Sequence, residues 1–225
     1  MGKLVVIPTP IGNLEDISLR ALRMLKEADM ILAEDTRHVS KLLNHYNIKT
    51  SKQAYHSYNE HGAASKLAAK LKETNATYAL VSDAGTPGIS DPAYLIINQC
   101  LLHNIEVECL PGPTAFIPAL IQSGLPSNSF CFEGFLPHQK GRVKKLKGLI
   151  DEKRTMIFYE SPYRLIKTLQ QFCEYFGNDR KASVSRELTK VFMETHNKTM
   201  AELLELYQNK NIKGEFVIVV DGKAD

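Results

Sequence analysis

The chain of 225 residues lacks two familiar phosphate-binding motifs. It contains no GxxxxGK[ST] segment, and no two of its 13 glycines are spaced as GxG. These absences exclude a P-loop nucleotide site and the dinucleotide-binding fingerprint. A phosphate-rich cofactor is therefore disfavoured.

Strong net charge, cysteine motifs and long apolar runs are also lacking. A net charge of +3 gives no global attraction to nucleic acid or membrane, so any basic footprint must be local. No apolar run approaches the ~20 residues of a membrane span, and the N-terminal MGKLVVIP is too short for a signal peptide. The cysteines form no CxxC or zinc spacing, which predicts buried free thiols and a reducing, cytoplasmic location. The four are Cys100, Cys109, Cys131 and Cys173.

Short apolar runs alternate with amphipathic segments along the chain. This alternation predicts an α/β fold of two domains with mixed, largely parallel sheets. The turn-forming segment SGLPSNS predicts a linker at 123–129 between domains at 1–122 and 130–225. Asp91-Pro92 and Ser161-Pro162 predict helix starts. The predicted strands are 3–7, 30–33, 78–81, 105–109, 130–134, 155–159, 182–186 and 215–220.

Four loops that follow predicted strands have unusual compositions. They are PTPIGNLEDIS, EDTRH, SDAGTPGISDP and LPGPTAF. Ligands of open α/β sheets bind beyond the carboxyl ends of the strands, and glycine and proline there bring the backbone close to the ligand. Backbone polar atoms together with Asp83 and Asp91 suit a compact ligand with amine, carboxylate and hydroxyl groups. A sulfonium is compatible, since carbonyl and carboxylate oxygens stabilise positive charge.

Six segments in order, PTPIGNLEDIS, AEDTRH, SDAGTPGISDP, LPGPTA, FYESPYR and SRELTK, carry a resemblance that runs from about residue 3 to residue 220. They resemble the tetrapyrrole methylase superfamily, the class III S-adenosylmethionine-dependent methyltransferases. Residues 8–13 read PTPIGN where tetrapyrrole methylases carry GxGxGD. This favours the branch that methylates the ribose 2′-hydroxyl of a cytidine in small-subunit (16S) ribosomal RNA. Many of its members continue into a further helical segment, whereas this sequence ends soon after GEFVIVV.

The resemblance implies an S-adenosylmethionine site in a cleft between the two domains, and a homodimer. The residues that match cofactor-binding positions come from five loops. They are Pro8, Asp83, Ala84, Gly85, Thr86, Ser90, Thr114, Ala115, Tyr159, Glu160, Glu187 and Leu188.

The catalytic candidates are polar residues in loops near the expected site. Glu34, Asp35 and Glu60 are carboxylates that could act as general base, while Arg37 and Asn59 could orient the ribose and leave the proton to water. For Asn59 and Glu60, within HSYNEH, a plain helix-capping role is the alternative.

A basic segment at 138–154 is either a solvated helix face or, in an RNA methylase, a phosphate contact. It contains Lys140, Arg142, Lys144, Lys145, Lys147, Lys153 and Arg154. Arg37, Arg164 and Arg186 are expected at strand ends, where each would hold a phosphate or form an interdomain salt bridge. The histidine pairs at 38 and 45 and at 56 and 61 lack a third ligand, so no metal is predicted.

Two other functions stay open on the sequence alone. One is S-adenosylmethionine-dependent methylation of a tetrapyrrole or another small molecule. The second is a binding module that holds a nucleotide-like ligand without chemistry.

Overall fold

A computed structural model of the chain describes residues 2–56 and 60–224. The chain divides into two compact units, Met1–Thr114 and Ala115–Asp225. Each unit is built on a five-stranded sheet with helices packed against it. The predicted α/β class is confirmed.

The first unit is built on an all-parallel sheet of order β3-β2-β4-β1-β5. Strand β1 reads as a continuous apolar run because both faces of the sheet are covered. Val5 packs into the cluster on one face, and Leu4 and Val6 pack into the cluster on the other. The elements are β1 Lys3–Val6, a 3₁₀ turn Leu14–Asp16, α1 Leu19–Glu27, β2 Met30–Ala33, α2 Thr36–His45, β3 Lys52–Ala54, α3 Glu60–Thr74, β4 Thr77–Val81, α4 Tyr94–Leu102 and β5 Glu106–Cys109.

The second unit has a mixed sheet of order β6-β7-β10-β8-β9. Only β6 and β7 are parallel, so this sheet is more antiparallel than the sequence predicted. Its core includes the side chains of Phe158, Phe172, Leu203 and Ile218. The elements are α5 Phe116–Ser123, β6 Phe130–Phe135, α6 Arg142–Gly148, β7 Thr155–Glu160, α7 Leu165–Phe176, β8 Lys181–Arg186, β9 Glu194–Thr199, α8 Met200–Gln208 and β10 Phe216–Val220.

The division between the units falls before the segment 123–129 that the sequence predicted as the linker. Helix α5 packs against β7, β8, β9 and β10 and so belongs to the second unit. Its Gln122 accepts a hydrogen bond from Thr195 Oγ1 (2.9 Å) and, through its carbonyl, one from Asn197 Nδ2 (2.9 Å).

Two helix starts and one burial prediction differ from expectation. Helices α4 and α7 begin at Tyr94 and Leu165, later than the Asp-Pro and Ser-Pro pairs suggested, and neither N-cap residue, Ala93 or Arg164, makes a side-chain capping hydrogen bond. The four cysteines are free thiols, but Cys100 alone is buried and Cys109 is exposed. Within residues 2–56 and 60–224, no helix is long and apolar enough to span a bilayer.

Candidate active site

The loops after β1 and β4 are joined by paired backbone hydrogen bonds at the carboxyl edge of the first sheet. Thr9 N donates to Gly85 O and Gly85 N donates to Thr9 O, each at 2.9 Å. The buried Thr9 hydroxyl also donates to Ser82 O at 3.1 Å. Gly85 has φ +84°, a left-handed conformation that glycine adopts readily. Hydrogen bonds to the loop after β1 therefore hold the backbone of the loop after β4 in place.

The loop after β5 closes against these two. Thr86 Oγ1 donates to Pro113 O at 3.0 Å and lies 2.6 Å from Thr114 Oγ1. A Cβ added at Gly112 would lie 2.7 Å from Pro8 Cβ, so only glycine allows this approach. Four of the predicted cofactor residues in three loops, Pro8, Gly85, Thr86 and Thr114, thus lie in one assembly. Ser90, further along the loop after β4, has φ +69°.

The loop after β2 joins the assembly through Asp83. The Asp83 carboxylate accepts a hydrogen bond from Asp35 N at 3.1 Å, and Ala84 follows in the same loop. Asp35 caps helix α2 by accepting from Arg37 N at 2.8 Å. The Arg37 guanidinium, which is exposed, donates to both oxygens of Asp35 at 3.1 and 2.8 Å. This pairing lowers the pKa of Asp35 well below its usual range, which makes it a weak base.

Acidic side chains from the loops after β2 and β4 lie close enough at this edge of the sheet to influence one another's pKa. Burial raises the pKa of Asp91 to about 7, with a further increase from Glu34 and Asp83 and a partial offset from a hydrogen bond with Ser82. Burial and the charge of Asp83 also raise the pKa of Glu34. A carboxylate whose pKa lies near neutrality is a better proton acceptor than Asp35. The sequence identified Asp91 as a ligand carboxylate, but no residue pattern signals its raised pKa.

The HSYNEH motif is described only in part. Asn59 lies outside the described residues. Glu60 is the first residue of α3, and its backbone N–H donates to His56 O at 2.9 Å. Among the described residues, no group of three histidine, cysteine, aspartate or glutamate side chains could hold a metal ion.

In the second unit, the predicted residues Tyr159 and Glu160 end β7. The Tyr159 ring packs against Phe132 and Phe135, with ring centres 5.0 and 5.6 Å apart. Glu160 is 2% exposed, and its carboxylate accepts from Ser161 N (2.8 Å) and Thr168 Oγ1 (2.6 Å). It also pairs with the Arg164 guanidinium at 2.8 Å. These internal bonds occupy its carboxylate, so any ligand contact by Glu160 is left to its backbone.

The other three predicted cofactor residues lie at turns of the second unit. Glu187 has φ +50°, and its carboxylate accepts from Lys190 Nζ at 2.9 Å and from Glu215 N at 3.0 Å. Leu188 is buried beside it, and Ala115 precedes helix α5.

The sequence predicted that the basic side chains at 138–154 face solvent or phosphate. In the structure they do not all share one exposed surface. Arg142 is 3% exposed and donates to Gln171, Pro137 and Thr168, so it is a structural residue rather than a phosphate contact. Lys145 pairs with Glu133, and Arg154 pairs with Glu152 at 2.8 Å. The lysines at 140, 144 and 147 are exposed.

Arg164 and Arg186 are held within the second unit. Arg164 Nη1 donates to Leu136 O at 3.2 Å, in addition to its pair with Glu160. Arg186 Nε donates to Lys213 O at 2.7 Å, and its Nη1 lies 3.3 Å from Glu194.

The fold of the chain is shared with solved structures of other proteins. A uroporphyrin-III C-methyltransferase from Thermus thermophilus, solved with S-adenyl homocysteine, matches with a TM-score of 0.65 at 17% identity and covers 99% of this chain and 98% of its own. A diphthine synthase matches with a TM-score of 0.74 at 12% identity, covering 99% of this chain and 90% of its own. At these identities the likeness establishes the fold alone.

The family follows from the sequence match. The model of the tetrapyrrole (corrin/porphyrin) methylases matches residues 3–204, and the chain belongs to this family. Two relatives are each named ribosomal RNA small subunit methyltransferase I. The one from Vibrio cholerae serotype O1 is 48% identical, over 99% of this chain and 78% of its own length. The one from Thermotoga maritima is 44% identical, over 99% of this chain and 100% of its own length.

Proposed function

We propose that this protein is an S-adenosylmethionine-dependent methyltransferase that acts on small-subunit ribosomal RNA. The observation that carries the proposal is the 44–48% identity, along nearly the whole chain, to enzymes named for that activity. The small-molecule alternative has weaker support, because the tetrapyrrole methyltransferases among the solved structures are under 20% identical.

The chemistry of the joined loops fits the proposed cofactor. Their backbone carbonyls and the Asp83 carboxylate suit a ligand with an amine and a sulfonium, and the positive φ of Gly85 brings the backbone close. Pro8, Gly85, Thr86 and Thr114 would hold the cofactor from the first unit. The resemblance also implies cofactor contacts by Tyr159, Glu187 and Leu188 and by the backbones of Ala115 and Glu160, and these contacts stay a prediction.

When bound, S-adenosylmethionine supplies a methyl group already activated by its sulfonium. The acceptor that we propose is the 2′-hydroxyl of a cytidine ribose, a weak nucleophile whose proton leaves as the methyl group transfers. In-line positioning contributes most of the rate, and a general base adds a factor of roughly 10²–10⁴. Arg37 and Asn59 are the orienting candidates. Glu34 is a better base candidate than Asp35, since its pKa is raised and that of Asp35 is lowered.

The experiment is methyl transfer from tritiated S-adenosylmethionine to small ribosomal subunits isolated from cells that lack this gene. Mass spectrometry of the digested RNA then maps the modified nucleoside. A 2′-O-methylcytidine that appears only with active protein supports the proposal. Methyl transfer to a tetrapyrrole but not to RNA would overturn it, and cofactor binding without transfer to either would favour a binding module.

We further propose that the protein is located in the cytoplasm and forms a homodimer. The free thiols suit a reducing compartment, and small-subunit ribosomal RNA is encountered there. The dimer is supported by the resemblance to a family whose members form homodimers.

A further inference from the structure

Two aromatic side chains of the second unit stand in solvent beside a basic helix. Tyr163, in the loop after β7, is 96% exposed, and Phe135, at the end of β6, is 51% exposed. Single exposed aromatics are common on protein surfaces and by themselves imply nothing. Phe135 ends β6 and Tyr163 follows β7, and since these adjacent strands are parallel, both residues lie at the same edge of the sheet.

A buried network holds the two loops together. The Arg164 guanidinium lies 6.0 Å from the centre of the Phe135 ring and donates to Leu136 O at 3.2 Å. Arg142 donates to Pro137 O at 3.2 Å and to Thr168 Oγ1 at 2.6 Å, and Thr168 in turn donates to Glu160. The ring of Phe135 and the first turn of α6 are therefore fixed to the loop that carries Tyr163.

Lysine side chains extend the positive charge from the loop before α6 along the helix itself. Lys140, Lys144 and Lys147 are exposed, and within the described part of the chain none of them has an ion-pair partner. Lys145 differs, since it pairs with Glu133. A depression of about 470 Å³ opens beside Lys144 and Lys145. It is lined by Pro137, Gly141, Lys144, Lys145, Gly148 and Leu149.

We propose that these side chains form a binding surface for a single-stranded segment of the RNA substrate. The aromatic–basic surface comprises Phe135, Tyr163, Lys140, Lys144 and Lys147. Unpaired bases stack on the two rings while the phosphates that connect them lie against the three lysines. The inference rests on the proposed function for the choice of RNA as partner.

Charge and ring exposure together select single strands over duplex. Lysines neutralise phosphates in either form, but an aromatic ring contacts a base face only when that base is unstacked from its neighbours. Each base that stacks on an aromatic side chain contributes about 1–3 kcal/mol by alanine substitution, whatever its identity. Sequence preference is therefore left to other parts of the protein.

The test measures fluorescence anisotropy of a labelled single-stranded oligoribonucleotide, and of the same strand annealed to its complement, over a series of salt concentrations. We expect Tyr163→Ala and Phe135→Ala each to weaken single-strand binding roughly tenfold and duplex binding much less. Lys144→Glu with Lys147→Glu should weaken both and flatten the salt dependence by about one unit of slope per lysine. Phe135→Leu replaces Phe135→Ala if loss of the contact with Tyr159 lowers the melting temperature.

The chain offers matched controls for each class of substitution. Tyr94→Ala removes a ring that is 73% exposed in the first unit, and Lys198→Glu reverses a charge on β9, at the opposite edge of the second sheet from β6. Both should leave RNA affinity unchanged. Sedimentation of every variant verifies an unaltered oligomeric state.

Unchanged single-strand affinity in both aromatic variants would overturn the proposal, as would an equal loss for duplex. A changed sedimentation coefficient with unchanged RNA affinity would identify a subunit interface instead. Failure of the proposed function has a different signature. If ribosomal RNA gains no methyl group while Tyr163→Ala and Phe135→Ala still weaken single-strand binding, the proposed function fails and the aromatic–basic surface stands.

Discussion

Gly112, in the loop after β5, packs against Pro8 in the loop after β1 with no room for a Cβ. Gly112→Ala adds a methyl group that meets Pro8 Cβ at 2.7 Å and Cγ at 3.0 Å, and the rigid proline ring must shift. Overpacking of this kind costs about 1–3 kcal/mol. The shifted loop should contact the cofactor less well, and a loss of about 1.4 kcal/mol of binding free energy would raise the dissociation constant of S-adenosylhomocysteine tenfold in isothermal titration.

The matched control for this substitution is a glycine in open space. Gly62 lies within α3, and no atom of the described residues lies within 4 Å of an added Cβ. Gly62→Ala should raise stability by about 0.5–1 kcal/mol and leave affinity unchanged. Equal affinity for wild type and a folded Gly112→Ala variant would place the cofactor elsewhere.

Asp91 gives the site a pH dependence of stability. Its folded pKa of about 7 lies above the ordinary aspartate value of 3.8, so between these values the folded state holds a proton that the unfolded state has released. Stability is therefore lost as pH rises through this window. Asp91→Asn removes the loss, and its advantage over wild type should grow from pH 4 to pH 7 by about 1–2 kcal/mol after solvent screening.

Urea unfolding across this pH range measures the difference, with Asp16→Asn as the exposed control. The charges of Glu34 and Asp83 act on Asp91, and those of His56 and Asp35 act on Glu34, so the comparison is made between variants and not on wild type alone. A pH-independent difference would show that Asp91 is ionised throughout.

The roles of individual residues could be predicted only in part from the sequence. Glycine and proline spacing indicated close backbone approach, and the Thr9–Gly85 pairing shows it. The burial of Glu160 was not readable, because its partners Thr168 and Arg164 and the nearby Arg142 become neighbours only when α6 and α7 pack together. A motif match identifies a position without distinguishing a ligand contact from an internal anchor.

Among the elements, α6 depends on a buried guanidinium rather than on an apolar face alone. Arg142→Met removes donors to Gln171, Pro137 and Thr168 and a positive charge 3.9 Å from Glu160. Breaking a buried charged network costs about 3–5 kcal/mol. Arg142→Lys should recover only part of this, since an ammonium does not reproduce the planar fork.

Chemical denaturation of the wild type, Arg142→Met and Arg142→Lys tests this order of stability. Lys147→Met, exposed on the same helix, should change the unfolding free energy by less than about 0.5 kcal/mol. If Arg142→Met proves as stable as Lys147→Met, the network does not hold α6 in place.

Elements without an apolar pattern escaped sequence prediction. Strand β9, ETHNKT, has no buried residue, and it forms because its backbone pairs with β8 over six residues at the sheet edge. Strand β3 is three residues long and carries no buried side chain. By contrast, β1 and β10 were readable because burial on both faces requires continuous apolar runs.

At the scale of the whole molecule, the proposed homodimer is the remaining prediction. Three consecutive apolar residues between β8 and β9, Val191, Phe192 and Met193, are 93%, 72% and 51% exposed. A contiguous apolar group of this kind is costly in water, and aromatic and methionine side chains are enriched where subunits meet. We expect sedimentation equilibrium to give a dimer at micromolar concentration and Phe192→Asp to shift it towards monomer, because a buried unpaired carboxylate is unfavourable. Leu19→Asp, at an isolated residue that is 85% exposed, is the control that should remain dimeric. A wild-type monomer would refute the dimer, and a dimer that withstands Phe192→Asp would place the interface on another surface.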